Sequence, residues 1–246
     1  MNIVEDIALV KTPSGDMRTS ILSPKDPGKY PAIILYSEIF QLTGPIMRSA
    51  AIIAGHGFIV AVPEVYHEHL EAGTVLGYDD EGKAIGNDLK NKTRIESYDE
   101  GIEAIIEHMR SHEKCSQRFG AVGFCLGGHL SFRAALNPKI EAAASFYGTD
   151  IHSGTLGTEQ PCDTFARIKD IKGEVMMVWG RQDPHIPTEG RQKIYNELCA
   201  QDTNFTWHEF NAVHAFMRDE GERYNPELAQ QGYRLAVDLF TRVLKS

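Results

Sequence analysis

A run of six residues, Gly123-Phe124-Cys125-Leu126-Gly127-Gly128, constrains the fold of this chain more than any other stretch. Strand-like residues precede it, from Arg118 to Phe124, and a helix-like stretch follows, from Gly128 to Asn137. A strand that turns at once into a helix holds its turn residue in a strained conformation. Glycines on both sides remove the side chains that would collide across such a turn. The pattern reads as a nucleophile elbow with a thiol in place of the usual serine hydroxyl. The turn lifts the Cys125 side chain clear of the backbone at a helix N-terminus, where the dipole favours a thiolate. The competing reading is a buried, inert cysteine in a Gly-rich turn.

The surroundings of the elbow set the fold class. Short, mostly uninterrupted apolar runs recur at Ala32 to Tyr36, Phe58 to Pro63, Phe119 to Phe124, Ala142 to Tyr147, Val175 to Gly180 and Phe205 to Phe210. Such runs suit parallel strands buried on both faces. Helical stretches fall between or after them, at Pro45 to Gly55, Ser97 to Ser111, Gly128 to Leu136, Thr188 to Gln201 and Pro226 to Leu244. In the last, Leu228, Leu235, Leu239 and Val243 recur at helical spacing. The first residues predict an antiparallel hairpin, Ile7 to Val10 and Met17 to Leu22, around Pro13-Ser14-Gly15-Asp16. The whole predicts an α/β fold: a mostly parallel, doubly wound sheet flanked by helices, in one domain over residues 1–246. The segment from His67 to Thr93, polar and Gly-rich, resists the alternation. It is expected to be a loop or short helix near the mouth of a site.

Composition excludes several classes. The net charge of -9 argues against nucleic acid or an anionic membrane as partner. No apolar run approaches the ~20 residues of a membrane span, and the N-terminus has no signal-peptide pattern. The cysteines at 115, 125, 162 and 199 form no CxxC pair, which suits reduced thiols in the cytoplasm. His67-Glu68-His69 lacks the i, i+4 pairing of a zinc motif, so no metal and no cofactor is expected. His129 is expected on the helix surface or behind the site, with no assigned role.

Two further residues follow predicted strands. Asp183 lies in Gly180-Arg181-Gln182-Asp183-Pro184, and His214 in Asn211-Ala212-Val213-His214-Ala215-Phe216. In an open α/β sheet, ligands sit beyond the carboxyl ends of the strands. The order nucleophile, acid, histidine is that of the α/β-hydrolase fold. A thiol near pKa ~8.5 is mostly protonated at neutral pH. His214 can accept its proton and later protonate a leaving group, with Asp183 orienting the ring. Glu38, in Tyr36-Ser37-Glu38-Ile39-Phe40, also follows a strand. That loop supplies one backbone N–H of the oxyanion hole in this fold and the residue after the nucleophile supplies the other, here Ile39 and Leu126.

Taken together, Glu38-Ile39-Phe40, the Cys125 elbow, Asp183, and His214 with Phe216 and Arg218 resemble the dienelactone hydrolase family, the carboxymethylenebutenolidases, over nearly the whole chain. The resemblance implies an α/β-hydrolase fold. It further implies a Cys125, Asp183 and His214 triad, and a Glu38 that hydrogen-bonds the resting thiol until an anionic substrate disturbs it. Arg218 matches a family arginine that binds the substrate carboxylate. The family's second substrate arginine has no counterpart in register. Lys83 or Lys90 is the candidate replacement. The expected function is hydrolysis of a carboxylate-bearing lactone or ester through a Cys125 acyl-enzyme, on a small-molecule substrate. A general carboxylesterase or thioesterase, and a non-catalytic ligand or redox sensor of the same fold, remain open on the residues alone.

Overall fold

The computed structural model describes residues 1–246. Its centre is one eight-stranded sheet in the order β1-β2-β4-β3-β5-β6-β7-β8. Strands β1 (Ile3–Thr12) and β2 (Gly15–Pro24) form the expected antiparallel hairpin, with Thr12 opposite Gly15 across a two-residue turn. β2 joins the rest by antiparallel pairing with β4 (Ile59–Pro63). From there every pairing is parallel: β4 with β3 (Tyr30–Tyr36), then β5 (Cys115–Phe124), β6 (Ile140–Phe146), β7 (Glu174–Gly180) and β8 (Phe205–Phe210). This is the α/β-hydrolase fold that the alternation of runs predicted. β4 and β7 are buried throughout and β3 and β6 nearly so, as a parallel sheet covered on both faces requires. β8, at the edge, is only half-buried and reads as a mixed strand.

Six helices cover the sheet: α1 (Gly44–Gly55), α2 (Asp80–Lys92), α3 (Ile95–Ser111), α4 (Leu126–Ala134), α5 (Thr188–Ala200) and α6 (Pro226–Leu244), with one 3-10 turn at Ile168–Asp170. α3 buries Ile102, Ile105, Ile106 and Met109, an apolar face at helical spacing. α6 starts where Asn225 accepts the Leu228 N–H at 3.0 Å and Pro226 opens the first turn. Its core face differs from the leucine stripe. Ala229, Gly232, Ala236, Leu239 and Phe240 are buried, while Leu228, Leu235 and Val243 sit half-buried at the border. Small residues let the helix approach closely: a Cβ at Gly232 would lie 2.7 Å from the Met217 sulfur.

α4 is buried along its whole length, polar residues included. Arg133 shows how a guanidinium survives there. Its Nε and Nη2 donate to Asp99 at 2.7 Å each, and its Nη1 donates to Asp163 at 2.6 Å and Thr164 at 2.9 Å. A buried charge with an acceptor on each of its three nitrogens avoids most of the desolvation penalty. The network ties α4 to α3 and to the loop before the 3-10 turn. His129 is also inside, which excludes the helix surface of the two expected placements, and burial pushes its pKa down to about 4, so it is neutral.

The region from His67 to Thr93 contains α2, a full helix of 13 residues. Asp79 caps it by accepting the Gly82 N–H at 2.8 Å. Asp80 and Glu81 occupy the first turn, Lys90 and Lys92 the last, which complements the helix dipole. It buries Gly82, Gly86 and Leu89, not an apolar stripe.

Candidate active site

The elbow has the strained geometry that its sequence demands. Cys125 takes φ 59° and ψ -118° between β5 and α4. Its N–H donates to the Phe146 carbonyl at 3.1 Å, and its carbonyl accepts from Thr149 and His129, both at 3.3 Å. Close approaches leave no room for side chains on either side. A Cβ at Gly123 would overlap the Gly127 carbonyl, and one at Gly127 the Tyr36 carbonyl. The thiol is thus fixed at the carboxyl end of the sheet, half-buried at the floor of a cleft of about 610 Å³.

Glu38 after β3, Asp183 after β7 and His214 after β8 reach the same cleft or its wall. His214 Nδ1–H donates to Asp183 Oδ2 at 2.6 Å, with both residues buried. The other Asp183 oxygen accepts the His185 N–H at 2.8 Å, so both carboxylate oxygens are used. Tyr147 packs edge-on against the His214 ring at 5.1 Å between centroids, and His185 does so at 4.7 Å. The imidazole is held in place on three sides. Burial alone would push the His214 pKa down, but Cys125 beside it and the Asp183 carboxylate outweigh burial and raise it to about 10. The fold brings the three candidates to one end of the sheet, with His214 bonded to Asp183 and beside Cys125.

Glu38 behaves differently from expectation. No hydrogen bond joins it to Cys125. Its buried Oε2 has no hydrogen-bond partner and lies 3.7 Å from Arg218 Nη1. The reason is electrostatic: a guanidinium attracts a buried carboxylate more strongly than a thiol does. Burial raises the Glu38 pKa, while Arg218, His214, Tyr78 and Arg223 oppose the rise. Arg218 itself is mostly buried. Its guanidinium stacks on the Tyr78 ring at 4.2 Å, and its Nε donates to the Glu220 carbonyl at 3.2 Å.

Both candidate oxyanion donors carry an uncommitted N–H. Leu126 is the first residue of α4, where an N–H has no acceptor within its own helix. The Ile39 N–H lies outside every helix and strand and donates to no other group of the protein. The Ile39 backbone is braced from above by α2. A Cβ at Gly86 would lie 2.6 Å from the Ile39 carbonyl oxygen.

Both lysines proposed to replace the absent arginine line the cleft from α2, together with Asn87. Neither is free. Lys90 donates to Asp150 Oδ2 at 2.9 Å, and Lys83 to the exposed Asp80 at 3.0 Å. Burial works against ionisation of Asp150, but Lys90 and Thr155 overcome it and lower its pKa. Sequence reasoning missed Tyr78, Asp150, His185 and Arg223, all of which line the cleft. His185 was legible in principle, two residues after Asp183. Arg223 was hidden in an acidic run, Asp219-Glu220-Gly221-Glu222. His67, from the excluded metal motif, faces Ser14 at 3.1 Å and Thr12 at 3.2 Å in the hairpin turn.

A strained turn residue between a parallel strand and a buried helix, with an acid and a histidine after later strands, defines an α/β-hydrolase. The model of the dienelactone hydrolase family matches residues 17–244, and the chain belongs to that family. A Saccharomyces cerevisiae protein named as a candidate carboxymethylenebutenolidase is 37% identical over 257 residues, covering 100% of this chain and 94% of that one. A carboxymethylenebutenolidase of Rhodococcus opacus is 28% identical over 239 residues, covering 95% and 90%. Among solved structures, a candidate dienelactone hydrolase of Klebsiella pneumoniae superposes with a TM-score of 0.84 at 20% identity, over 98% of this chain and 100% of its own; it speaks for the fold.

Proposed function

We propose that residues 1–246 act as one hydrolase domain that cleaves a carboxylate-bearing lactone or ester through a thioester on Cys125. The observation that carries the reading is the His214–Asp183 bond of 2.6 Å beside a strained cysteine. With its pKa raised to about 10 by Cys125 and Asp183 against burial, His214 is a strong enough base to hold the proton that Cys125 gives up on attack.

The chemistry then balances as follows. The Cys125 thiolate attacks the carbonyl carbon, and its oxygen takes the electron pair. The Ile39 and Leu126 N–H groups stabilise that oxyanion. Collapse breaks the C–O bond, and His214 gives its proton to the leaving alcohol or enol. A water then attacks the thioester as neutral His214 takes its proton. Collapse expels the thiolate and restores the resting pair. Asp183 fixes the tautomer and orientation of His214 throughout.

Glu38 and Arg218 set the substrate class in this reading. Glu38 positions Arg218 at the cleft wall, and an arriving carboxylate takes the guanidinium in its place, since an exposed edge of Arg218 remains. The names of the relatives support a lactone with an acid side chain. No metal or organic group has a part in these steps.

The test is mass spectrometry of protein quenched in acid during turnover of an acidic lactone and of its neutral ester analogue. An acyl adduct on Cys125, lost in Cys125→Ala along with turnover, is the expected result. Turnover near the wild-type level in Cys125→Ala refutes the mechanism. A higher kcat/KM for the neutral ester refutes the substrate class.

A further inference from the structure

The proposed steps use the carboxyl ends of the strands and leave the sides of the sheet without a task. Two strands lie at those sides, β1 and β8. Open strand edges offer unpaired N–H and C=O groups to other chains and are usually blunted by charge. β8 spans six residues and shows no large exposed apolar side chain. β1 spans ten and shows two near its middle, Ile7 at 52% and Leu9 at 58% exposure. Glu5 and Lys11, both exposed, flank them. These four residues share one face of the sheet with Ile3, and that face carries α1, since a Cβ at Gly55 would lie 3.8 Å from Ile3 Cδ1. The same odd-numbered residues direct their backbone groups outward. Asn2 accepts the Lys25 N–H at 2.8 Å in register with the rest of the hairpin, so even-numbered residues bond to β2 and odd-numbered ones face the open edge.

We propose that the β1 edge is an interface between two copies of this chain, with β1 of the second copy pairing antiparallel about a two-fold axis that passes between the two Ala8 residues. The hydrogen-bond phase of the edge requires odd-numbered residues to face odd-numbered ones, and a two-fold makes every pair occur twice. With Ala8 opposite Ala8, Ile7 faces Leu9 of the second copy and Glu5 faces Lys11 of the second copy. An apolar centre is then closed at both ends by opposite charges. On the other face Asp6 falls opposite Val10, so no like charges meet. Sliding the second copy by two residues, the smallest step that keeps the phase, sets Glu5 opposite Leu9 or Lys11 opposite Ile7, and the charge match is lost. Lys11 donates to Asp16 at 2.7 Å and Glu5 accepts from Ser20 at 2.6 Å, so both side chains are already held on the face where the cross-strand pairs form. About eight backbone hydrogen bonds join the copies, two for each facing pair of odd-numbered residues from Glu5 to Lys11. The axis stands perpendicular to the sheet, so the two clefts open at opposite ends and neither is covered.

The test is sedimentation velocity of the full chain from about 1 μM to about 1 mM. A strand-edge interface is at the small end for specific association, so the wild type is expected to pass from the chain mass to twice that mass within this range. In Glu5→Lys and in Lys11→Glu, like charges face each other twice per dimer, and the dissociation constant should rise about tenfold. The double variant, Glu5→Lys with Lys11→Glu, restores opposite charges and should return to within about threefold of the wild type. Neither misfolding nor a general change of charge produces such a rescue. Ile7→Pro removes an N–H from the open edge and none from the hairpin, so its thermal melt should hold while its dimer weakens by about tenfold or more. A wild type that stays at the chain mass up to about 1 mM overturns the proposal. A dimer unmoved by the single variants also overturns it, since another face then joins the copies. So does a double variant that dimerises no more tightly than the single ones.

Discussion

Replacing Gly86 by alanine sets helix propensity against packing at one atom pair. Gly86 lies inside α2, where alanine is favoured over glycine by about 0.8–1 kcal/mol. On propensity alone the variant is more stable. The added Cβ, however, would stand 2.6 Å from the Ile39 carbonyl oxygen and 3.0 Å from the Ile39 Cβ, where ordinary contacts begin at 3.4 Å. Relief therefore needs about 0.8 Å of separation between α2 and the Ile39 backbone. Overpacking of this kind costs about 1–3 kcal/mol, so the clash cancels the propensity gain or outweighs it by up to about 2 kcal/mol. Tm is therefore expected to stay level or to fall by up to about 8 °C for a chain of this size. The displacement also moves the Ile39 N–H, the proposed oxyanion donor. A misplacement approaching 1 Å at a reacting group costs up to about a hundredfold in rate, so kcat should fall about ten- to a hundredfold with KM changed far less. Steady-state kinetics on an aryl ester, with a thermal melt of the same preparation, gives both readings. A Tm that rises by a few degrees with kcat unchanged would refute the reasoning, because propensity would then act unopposed.

Two other outcomes follow from the site and its support. His214 has a higher pKa folded, about 10, than in an open chain, so the folded state holds its proton more tightly. The stabilisation is complete below the unfolded value near ~6.5 and is lost as pH rises toward 10. The gap in urea midpoint between wild type and His214→Gln should therefore be widest near pH 6 and narrow steadily toward pH 10; a gap that widens with pH contradicts the assignment. Arg133→Met removes four hydrogen bonds to Asp99, Asp163 and Thr164 but leaves two half-exposed acids that water can reach. A loss of about 2–3 kcal/mol in urea unfolding is expected, and a loss below about 0.5 kcal/mol would show the network to be a surface feature.

What the sequence disclosed and what it concealed have physical causes. Parallel strands buried on both faces leave continuous apolar runs, and the elbow leaves glycines that no other residue can replace. Cys125, Asp183 and His214 were legible because each stands directly after such a run. α2 was legible only as a loop or short helix, because it buries just Gly82, Gly86 and Leu89, with Gly86 against Ile39, so its sequence carries no apolar periodicity. Its signals were electrostatic: Asp79 as cap, acids in the first turn and lysines in the last. The Glu38 contact was misjudged because a carboxylate's partner is a matter of which cation lies nearest in space. Arg218 is 180 residues away along the chain and 3.7 Å away in the fold. Arg223 was concealed for the converse reason, since Asp219 and Glu220, near it in sequence, are claimed by Arg48 from another helix.

The position of β8 bears on how activity is lost. It is the edge strand of the sheet, paired on one side only and half-buried, and it leads directly into His214. Cys125, by contrast, stands at the end of β5 in the middle of the sheet. Edge elements open at lower free energy than the core around them. On the proposed roles, mild denaturant frays the strand leading to His214 while the strand of Cys125 is intact, and inactivation is expected to precede the loss of secondary structure. On refolding the order reverses. β8 is held by β7 alone, so recovered turnover follows the return of the central sheet and reports its completed edge.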